Sequence, residues 1–142
     1  MVPKFRVWDK TLKEWWTRGA TLWEIFSYIQ EDPLFSEVSW DTLKERLVFM
    51  QSTGRHDKLG VEVYQDDIVE DIWHNGLFLV VIDSEIAGAY MQLLRRIDNN
   101  KQPRLYIVDF KFIYASDIKV IGNVWENRKL INLKRIKESE VK

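Results

Sequence analysis

The sequence has no cysteine among its 142 residues, and only three prolines and six glycines. Without cysteine there is no disulfide, no thiolate zinc site, no iron–sulfur cluster held by thiolates and no cysteine nucleophile. No run approaches the ~18 apolar residues that a membrane span needs, and the N-terminus has no apolar stretch typical of a signal peptide. These absences predict a cytoplasmic protein that does not use a membrane and folds without covalent crosslinks.

An excess of charge of one sign is also missing, because 21 Lys and Arg oppose 22 Asp and Glu, for a net charge of -1. No global field therefore draws the chain to nucleic acid or to anionic lipid. A local excess lies at the C-terminus, where six basic residues oppose Glu138 and Glu140; they are Arg128, Lys129, Lys134, Arg135, Lys137 and Lys142. This segment is either a nucleic-acid contact or a solvated tail.

The sequence is rich in hydrophobic residues (46%), of which seven are Trp, and its length suffices for one core. Two helices are predicted early in the chain. The first covers 22–30, because Thr21 opens a capping-box sequence and apolar residues follow with helical spacing. Asp32-Pro33 ends it. Ser39 is a second N-cap, before a shorter helix that ends near Arg46.

Segments with strand-like alternation or β-branched residues follow, and a first one precedes the helices. The predicted strands are 4–8, 47–50, 61–72, 77–82, 85–96, 106–114 and 118–124. Loops are predicted from Thr53 through Gly60 and over 98–103, Asn75-Gly76 favours a hairpin turn, and Glu126 opens a short closing helix. Hairpin-length connections predict the α+β class, mainly β, with one antiparallel barrel-like sheet and one or two short N-terminal helices.

Three segments, Lys4–Asp9, Phe49–Val69 and Val120–Asn127, resemble the signature of the YopX family, small proteins carried by bacteriophages and prophages. The resemblance implies a single domain over 1–142, with an N-terminal strand and helices in 1–46 and a barrel-like β part in 47–142. It also implies the cytoplasm of a bacterial host, and no known activity, substrate or cofactor. The family usually has Gly where this chain has Asp66, and an aromatic residue at Ser52.

The residues of these segments read as structural positions, and the motif set is Gly54, Asp57, Gly60, Tyr64, Asp67, Gly122, Asn123, Glu126 and Asn127. Gly60 is predicted to supply a positive φ to a turn. Asp67 is expected to accept hydrogen bonds from turn amides, and Trp125 to close the core with a partner for its indole N–H.

A metal site is the sharpest enzymatic reading, since hard oxygen ligands and one histidine gather in Asp66, Asp67, Glu70, Asp71 and His74. On a strand, however, these acids alternate between two faces and cannot converge without a bulge. We therefore predict a solvated or turn-capping acidic stretch, with no catalytic, metal-binding or cofactor-binding residue. His56 and His74 belong to no catalytic motif.

Trp15 and Trp16 are adjacent, so on a strand they face opposite sides and one small core cannot hold both. Either one is exposed as a protein contact, or the N-terminal helices form a second cluster that covers it. The first reading predicts a non-catalytic protein-interaction or self-assembling factor, with an unidentified protein partner or a second copy. A nucleic-acid-associated factor is the alternative, and a metal-dependent hydrolase comes third.

Overall fold

The computed structural model of the chain describes residues 2–32, 37–83, 88–96 and 106–128. Two α-helices, α1 (Leu22–Glu31) and α2 (Trp40–Arg46), lie between the second and third strands. The strands of the described residues are β1 (Phe5–Asp9), β2 (Glu14–Ala20), β3 (Leu47–His56), β4 (Glu62–Tyr64), β5 (Asp67–Asp71), β6 (Gly76–Asp83), β7 (Gly88–Arg96), β8 (Ile107–Asp109) and β9 (Ile118–Asn123).

These strands form two antiparallel sheets within the described part of the chain. The first sheet has the order β2-β1-β3-β4, and the second, which curls into a half-barrel, has the order β8-β7-β6-β5-β9. Strands β4 and β9 are therefore outer strands. The predicted class, α+β and mainly β, is confirmed, although the strands divide into two sheets where one was expected.

Both helices begin at their predicted caps. The Thr21 hydroxyl accepts a hydrogen bond from the Glu24 amide at 3.2 Å, and the Glu24 carboxylate accepts one from the Thr21 amide at 3.3 Å. Ser39 accepts from the Thr42 amide at 3.3 Å at the start of α2. Each cap satisfies an amide that the helix itself leaves unpaired, which explains why local sequence sufficed to predict both helices.

A Thr21→Ala variant is expected to lose about 1 kcal/mol of unfolding free energy, because the Glu24 amide loses its acceptor. Urea denaturation followed by circular dichroism measures this loss. Ser27→Ala, which removes a hydroxyl from the interior of the same helix, is the control and should change the unfolding free energy by less than half as much. Equal losses in the two variants would contradict the capping role.

The two larger of three hydrophobic clusters among the described residues lie on the two sheets. The helices pack on one face of the first sheet, where the buried residues are Val7, Ala20, Ile25, Ile29, Leu43 and Leu47. The second sheet encloses the larger cluster, whose buried residues are Val63, Val69, Phe78, Val80, Met91, Leu93, Val108, Phe110, Ile113 and Ile118. Because the helices cover only one face of the first sheet, its other face is left to meet the second sheet.

Three predicted elements differ from the structure, and the first is the strand predicted over 61–72, which a turn at Gln65-Asp66 divides into β4 and β5. The loop predicted from Thr53 is the second half of β3, which continues to His56 because Gly54, at φ +76°, allows an irregularity in the pairing with β4. The strand predicted over 106–114 is limited to β8. The carboxylate of Asp109 accepts a hydrogen bond from the Lys111 amide at 2.9 Å and starts a 3₁₀ turn, Phe110–Phe112.

Strand β2 was not predicted. Its pairing with β1 is interrupted twice by register shifts, so its side chains do not alternate regularly. The strand predicted over 85–96 is observed as β7, while 84–87 and the loop predicted over 98–103 lie outside the described residues. Residues 124–126 form a turn, and the closing helix predicted from Glu126 falls mostly on residues beyond 128 that are not described.

No helix among the described residues is both long enough and apolar enough to cross a membrane.

Candidate functional site

A cleft of about 640 Å³ opens where the two sheets meet, and we call it the signature cleft. Each of the three signature segments contributes to it. Its lining residues from these segments include Arg6 from β1, Glu62, Tyr64 and Asp67 from β4 and β5, and Gly122, Asn123, Glu126 and Asn127 from the end of β9 and the turn that follows. Segments at both ends and in the middle of the chain therefore build one site.

A buried ion pair joins the two sheets at the base of this cleft. The Arg6 guanidinium lies 2.8 Å from the Asp67 carboxylate, and the two side chains are 6% and 1% exposed. Arg6 also donates to the Gln65 carbonyl at 3.0 Å, and Asp67 accepts from the Tyr64 amide at 2.8 Å. The Asp67 oxygen that faces Arg6 makes no aligned hydrogen bond, so this contact is chiefly an attraction of charges.

Burial dominates the titration of this pair. It raises the pKa of Asp67 to about 6, although Arg6 and the Tyr64 amide both favour the charged carboxylate. Burial also lowers the pKa of Arg6, although Asp67 counteracts it. The guanidinium still keeps its proton at any physiological pH. Asp67 is thus the member of the pair whose charge changes in the mildly acidic range.

Aromatic rings enclose the Arg6 guanidinium. It lies 4.7 Å from the centre of the Trp15 ring and 4.9 Å from that of Tyr64, and Arg18 lies 4.6 Å from the Trp15 ring. Cations over aromatic faces are attracted by the ring quadrupole, more strongly where water is excluded. The rings therefore offset part of the desolvation of Arg6.

Glu126 collects polar groups from both sheets. One of its oxygens accepts from the Asn123 amide group and from the Trp15 indole, each at 2.9 Å, and Arg18 lies 3.6 Å away. The hydrogen bonds from Asn123 and Trp15 hold the pKa of Glu126 below its ordinary value. The carboxylate is therefore charged at neutral pH and ties β2 to the turn after β9.

Side chains fold the turn after β9 back on itself. Asn123 accepts from the amides of Trp125 and Glu126 at 3.0 and 2.8 Å, and the Asn127 side chain accepts from the Asn123 amide at 3.0 Å. A Cβ on Gly122 would lie 2.7 Å from Cγ of Asn127. Position 122 therefore favours glycine, because the Asn127 side chain occupies the space that a Cβ at this position would need.

Asp57 and Gly60 form a turn, as predicted. The Asp57 carboxylate accepts from the amides of Leu59, Val61 and Val120 at 2.9, 2.8 and 2.9 Å, and Gly60 has φ +81°. The amide of Val120 belongs to β9, so this carboxylate also connects the two sheets. Gly54 lies within β3 and does not line the cleft.

Asp66, at a position where the family resemblance led us to expect glycine, adopts φ +68°. Asp tolerates this left-handed conformation better than most residues do. Its carboxylate accepts from the Trp125 indole N–H at 3.2 Å, the partner that the sequence called for, and burial raises the pKa of Asp66. The turn before β5 thus keeps the backbone that glycine favours.

The acidic stretch divides as the alternation predicts. Asp67 and Asp71 are buried, whereas Glu70 is half-buried. In the register of β5 and β9, Glu70 lies opposite Lys119. Asp71 holds the next turn, since it accepts from the amide and the ring of His74 at 3.0 and 2.7 Å. Within the ranges that the structure describes, no three side chains of His, Asp or Glu are grouped to hold a metal ion.

Trp15 and Trp16 lie on opposite faces of β2, and both are half-buried. Trp15 lies at the signature cleft, edge-on to Trp8 at 4.9 Å, and Trp16 packs on the helix cluster. The second cluster foreseen as an alternative therefore exists. Both rings contact the chain itself and stay partly exposed, so their role as protein contacts remains a prediction.

Arg6 was not predicted from the sequence as a residue of the site. The alternation of Lys4 to Trp8 is typical of a half-buried strand and places Arg6 on the solvent side, yet it is only 5% exposed. The reason is that β1 is a central strand, covered by helices on one face and by the second sheet on the other. The one feature of the sequence that pointed to Arg6 was its position within the signature segment Lys4–Asp9.

A family model described as YopX protein matches residues 4–132, and the chain belongs to this family. The resemblance of the three segments is thus confirmed. The chain is also similar in fold to the crystal structure of protein EF1440 from Enterococcus faecalis, with a TM-score of 0.50 and 21% identity, covering 92% of this chain and 99% of that one. A search of curated proteins found no match.

Proposed function

We propose that the protein is a non-catalytic accessory factor of a phage or prophage and binds another protein through the outward face of its two helices. The phage assignment rests on what the family resemblance implies. The observation that carries the binding function is Trp23, which is 81% exposed on α1 while Ile25 and Ile29 of the same helix are buried.

Trp23 belongs to a continuous apolar surface, the aromatic face, which consists of Leu22, Trp23, Phe26 and Trp40. All four side chains are exposed. Positions three and four residues apart are neighbours on a helix, so Phe26 lies beside both Leu22 and Trp23. The ring of Trp40 on α2 lies edge-on to that of Phe26 at 5.6 Å. Exposed apolar patches of this kind mark protein contacts, and Trp is enriched among hot spots.

Exposed acids occupy the same two helices: Glu24, Glu31, Asp41 and Glu45. The described basic residue that opposes them on this surface, Lys44, lies 3.2 Å from Asp41. An apolar patch among acids favours a partner that presents apolar side chains beside Lys or Arg. It disfavours contact of this face with the same face of a second copy, because their acids would repel.

The signature cleft supports the non-catalytic part of the proposal. Its carboxylates are already engaged, Asp67 with Arg6, Glu126 with Trp15 and Asn123, and Glu62 as acceptor of the Tyr64 hydroxyl at 2.7 Å. Burial raises the pKa of Tyr64, so the phenol keeps its proton. Groups paired in this way stabilise the junction of the sheets.

The proposal is tested with a partner that is cross-linked in infected cells, identified and purified. A Trp23→Ala variant is expected to bind it about 30-fold more weakly, because removal of a hot-spot tryptophan costs about 2 kcal/mol of binding free energy. Calorimetric titration measures the affinity. Trp23 is so exposed that the variant should keep its unfolding free energy within about 0.5 kcal/mol.

Trp73→Ala is the matched control, since Trp73 is 78% exposed and lies in the β5–β6 turn, away from the helices. Its affinity should equal that of the wild type. Equal losses in both variants, or no loss in Trp23→Ala, would contradict the proposal. Sedimentation of the wild type and of Trp23→Ala gives the second arm, in which a dimer that dissociates only in Trp23→Ala would make a second copy the partner.

A further inference from the structure

A second cleft, of about 730 Å³, lies on the other side of Glu126 and Asn127, which line both cavities. We call it the basic cleft. Its other lining residues come from β1, the turn after β1 and the turn after β9: Trp8, Lys10, Lys13, Trp125 and Arg128. Neither the signature motifs nor the aromatic face account for this combination of two indoles and three cations.

The charge of the basic cleft is positive. Lys10, Lys13 and Arg128 are exposed, and no ion pair joins them to another side chain of the described ranges. The one acid in its lining, Glu126, already accepts hydrogen bonds from Trp15 and Asn123. Three cations thus face the cavity with their charge available to an anion.

The indoles are held in place by other residues. Trp125 is half-buried and donates its N–H to Asp66, and the largely buried Trp8 is edge-on to Trp15. A ring fixed along one edge keeps its orientation when a flat ligand approaches. Aromatic side chains beside Lys and Arg are the combination on which bases stack in single-stranded nucleic acid.

Lys13 lines the cleft although its backbone conformation is strained. Its φ of +56° is a left-handed conformation that costs a long side chain free energy. The turn persists because the Lys13 amide donates to the Asp9 carbonyl at 2.8 Å, and the buried Asp9 carboxylate accepts from the amides of Thr11 and Leu12. A glycine would fit this conformation with less strain, yet the chain has a cation there.

We propose that the basic cleft binds nucleotide units of single-stranded nucleic acid, with a base on Trp125 and phosphates at Lys10, Lys13 and Arg128. A strand fits better than a free nucleotide, because the three cations come from two separate turns and a strand offers successive phosphates to them. The cleft provides the stacking and the phosphate contacts. No residue of the aromatic face lines this cleft, so nucleic-acid binding here and protein binding at the aromatic face are tested independently.

The test is a fluorescence anisotropy titration of a labelled 20-nucleotide poly-dT strand with the full chain, over a range of salt concentrations. Three phosphate contacts predict that log Kd rises with log salt concentration with a slope of about 2. The double variant Lys10→Gln/Lys13→Gln is expected to lower this slope to about 0.7 and to weaken binding at low salt at least tenfold. Lys58→Gln/Lys119→Gln removes the same charge from exposed sites elsewhere and should weaken binding less than threefold.

A variant that relieves the turn separates binding from folding. Lys13→Gly should keep or raise the unfolding temperature and still weaken binding, because glycine suits the left-handed conformation and carries no charge. Equal losses of affinity in the two double variants, an unchanged slope in Lys10→Gln/Lys13→Gln, or no binding at 20 mM salt would overturn the proposal. Competition by thymidine monophosphate at the same nucleotide concentration would make a free nucleotide the ligand, and equal competition by inorganic phosphate would overturn the role of the base.

Discussion

An Arg6→Met variant is expected to lose about 3 to 5 kcal/mol of unfolding free energy at pH 8, the usual loss when one partner of a buried ion pair is removed. Met fills a similar volume, so lost packing contributes little. The loss arises because Asp67, only 1% exposed, would lie in the interior without a cation beside it, and at pH 8 both keeping its charge and binding a proton cost free energy. Urea denaturation at several pH values measures the effect.

The stability lost in Arg6→Met should increase as the pH rises. In the wild type the pKa of Asp67 is raised to about 6 by burial, so its charge lowers the unfolding free energy as the pH rises from about 4 to 6. Arg6 opposes this rise of the pKa, and without it the pKa rises further. The variant should therefore continue to lose stability above pH 6, where the wild type no longer does, and the deficit at pH 5 should be less than half of that at pH 8.

Arg6→Met/Asp67→Asn is the matched control. The Asn side chain still offers an oxygen to the Tyr64 amide, but neither position then carries a charge. This double variant should regain most of the lost stability at pH 8 and show no transition near pH 6. A deficit of the same size at pH 5 and pH 8, unrelieved in the double variant, would mean that packing around Arg6 matters and the charge does not.

An Asp57→Ala variant is expected to lose about 3 kcal/mol or more, because three amides, of Leu59, Val61 and Val120, lose one shared acceptor. Two of these amides form the turn before β4, and the third belongs to β9. The substitution therefore affects both sheets. Amide hydrogen exchange should show faster exchange at all three positions.

Acid should remove the same stabilisation. Although burial opposes the charge of Asp57, the hydrogen bonds from Val120, Val61 and Leu59 hold its pKa below the ordinary value. Its contribution is fully present above about pH 4 and is lost as the pH falls through the lowered pKa of the folded protein. The wild type and the variant should therefore differ less at pH 3 than at pH 7. Asp41→Ala, at an exposed carboxylate, should differ from the wild type by less than about 0.5 kcal/mol at either pH.

The parts of the fold that local sequence determines were predictable. Both helices were predicted from their N-cap residues, Thr21 and Ser39, and each of these side chains accepts a hydrogen bond from the amide three residues further on. The hairpin between β5 and β6 was predicted from the Asn-Gly pair, although Gly76 belongs to β6 and the turn spans residues 72–75, where Asn75 adopts φ +54°. Strand β2 and the 3₁₀ turn after Asp109 were not predictable, since register shifts against β1 and a side-chain cap override the alternation there.

The candidate site was predictable in its turns and unpredictable in its connections. Asp67 was expected to accept from a turn amide, and it does so at Tyr64. Its partner Arg6 comes from the opposite end of the chain, and no spacing rule links the two. Likewise, the sequence indicated that Trp15 and Trp16 face opposite sides, but tertiary packing decided that neither is the most exposed tryptophan.

The hydrogen bonds of Asp57 and Asp67 also limit what other molecules of the same chain can do. β4 and β9 are outer strands, and an outer strand with bare amides is a template on which foreign strands can grow into fibrils. Here the amide of Tyr64 on β4 and that of Val120 on β9 are already occupied by buried carboxylates. The two acids thus occupy part of the outer edge of β4 and of β9, and fewer backbone groups of these two strands are left open to pairing with a foreign strand.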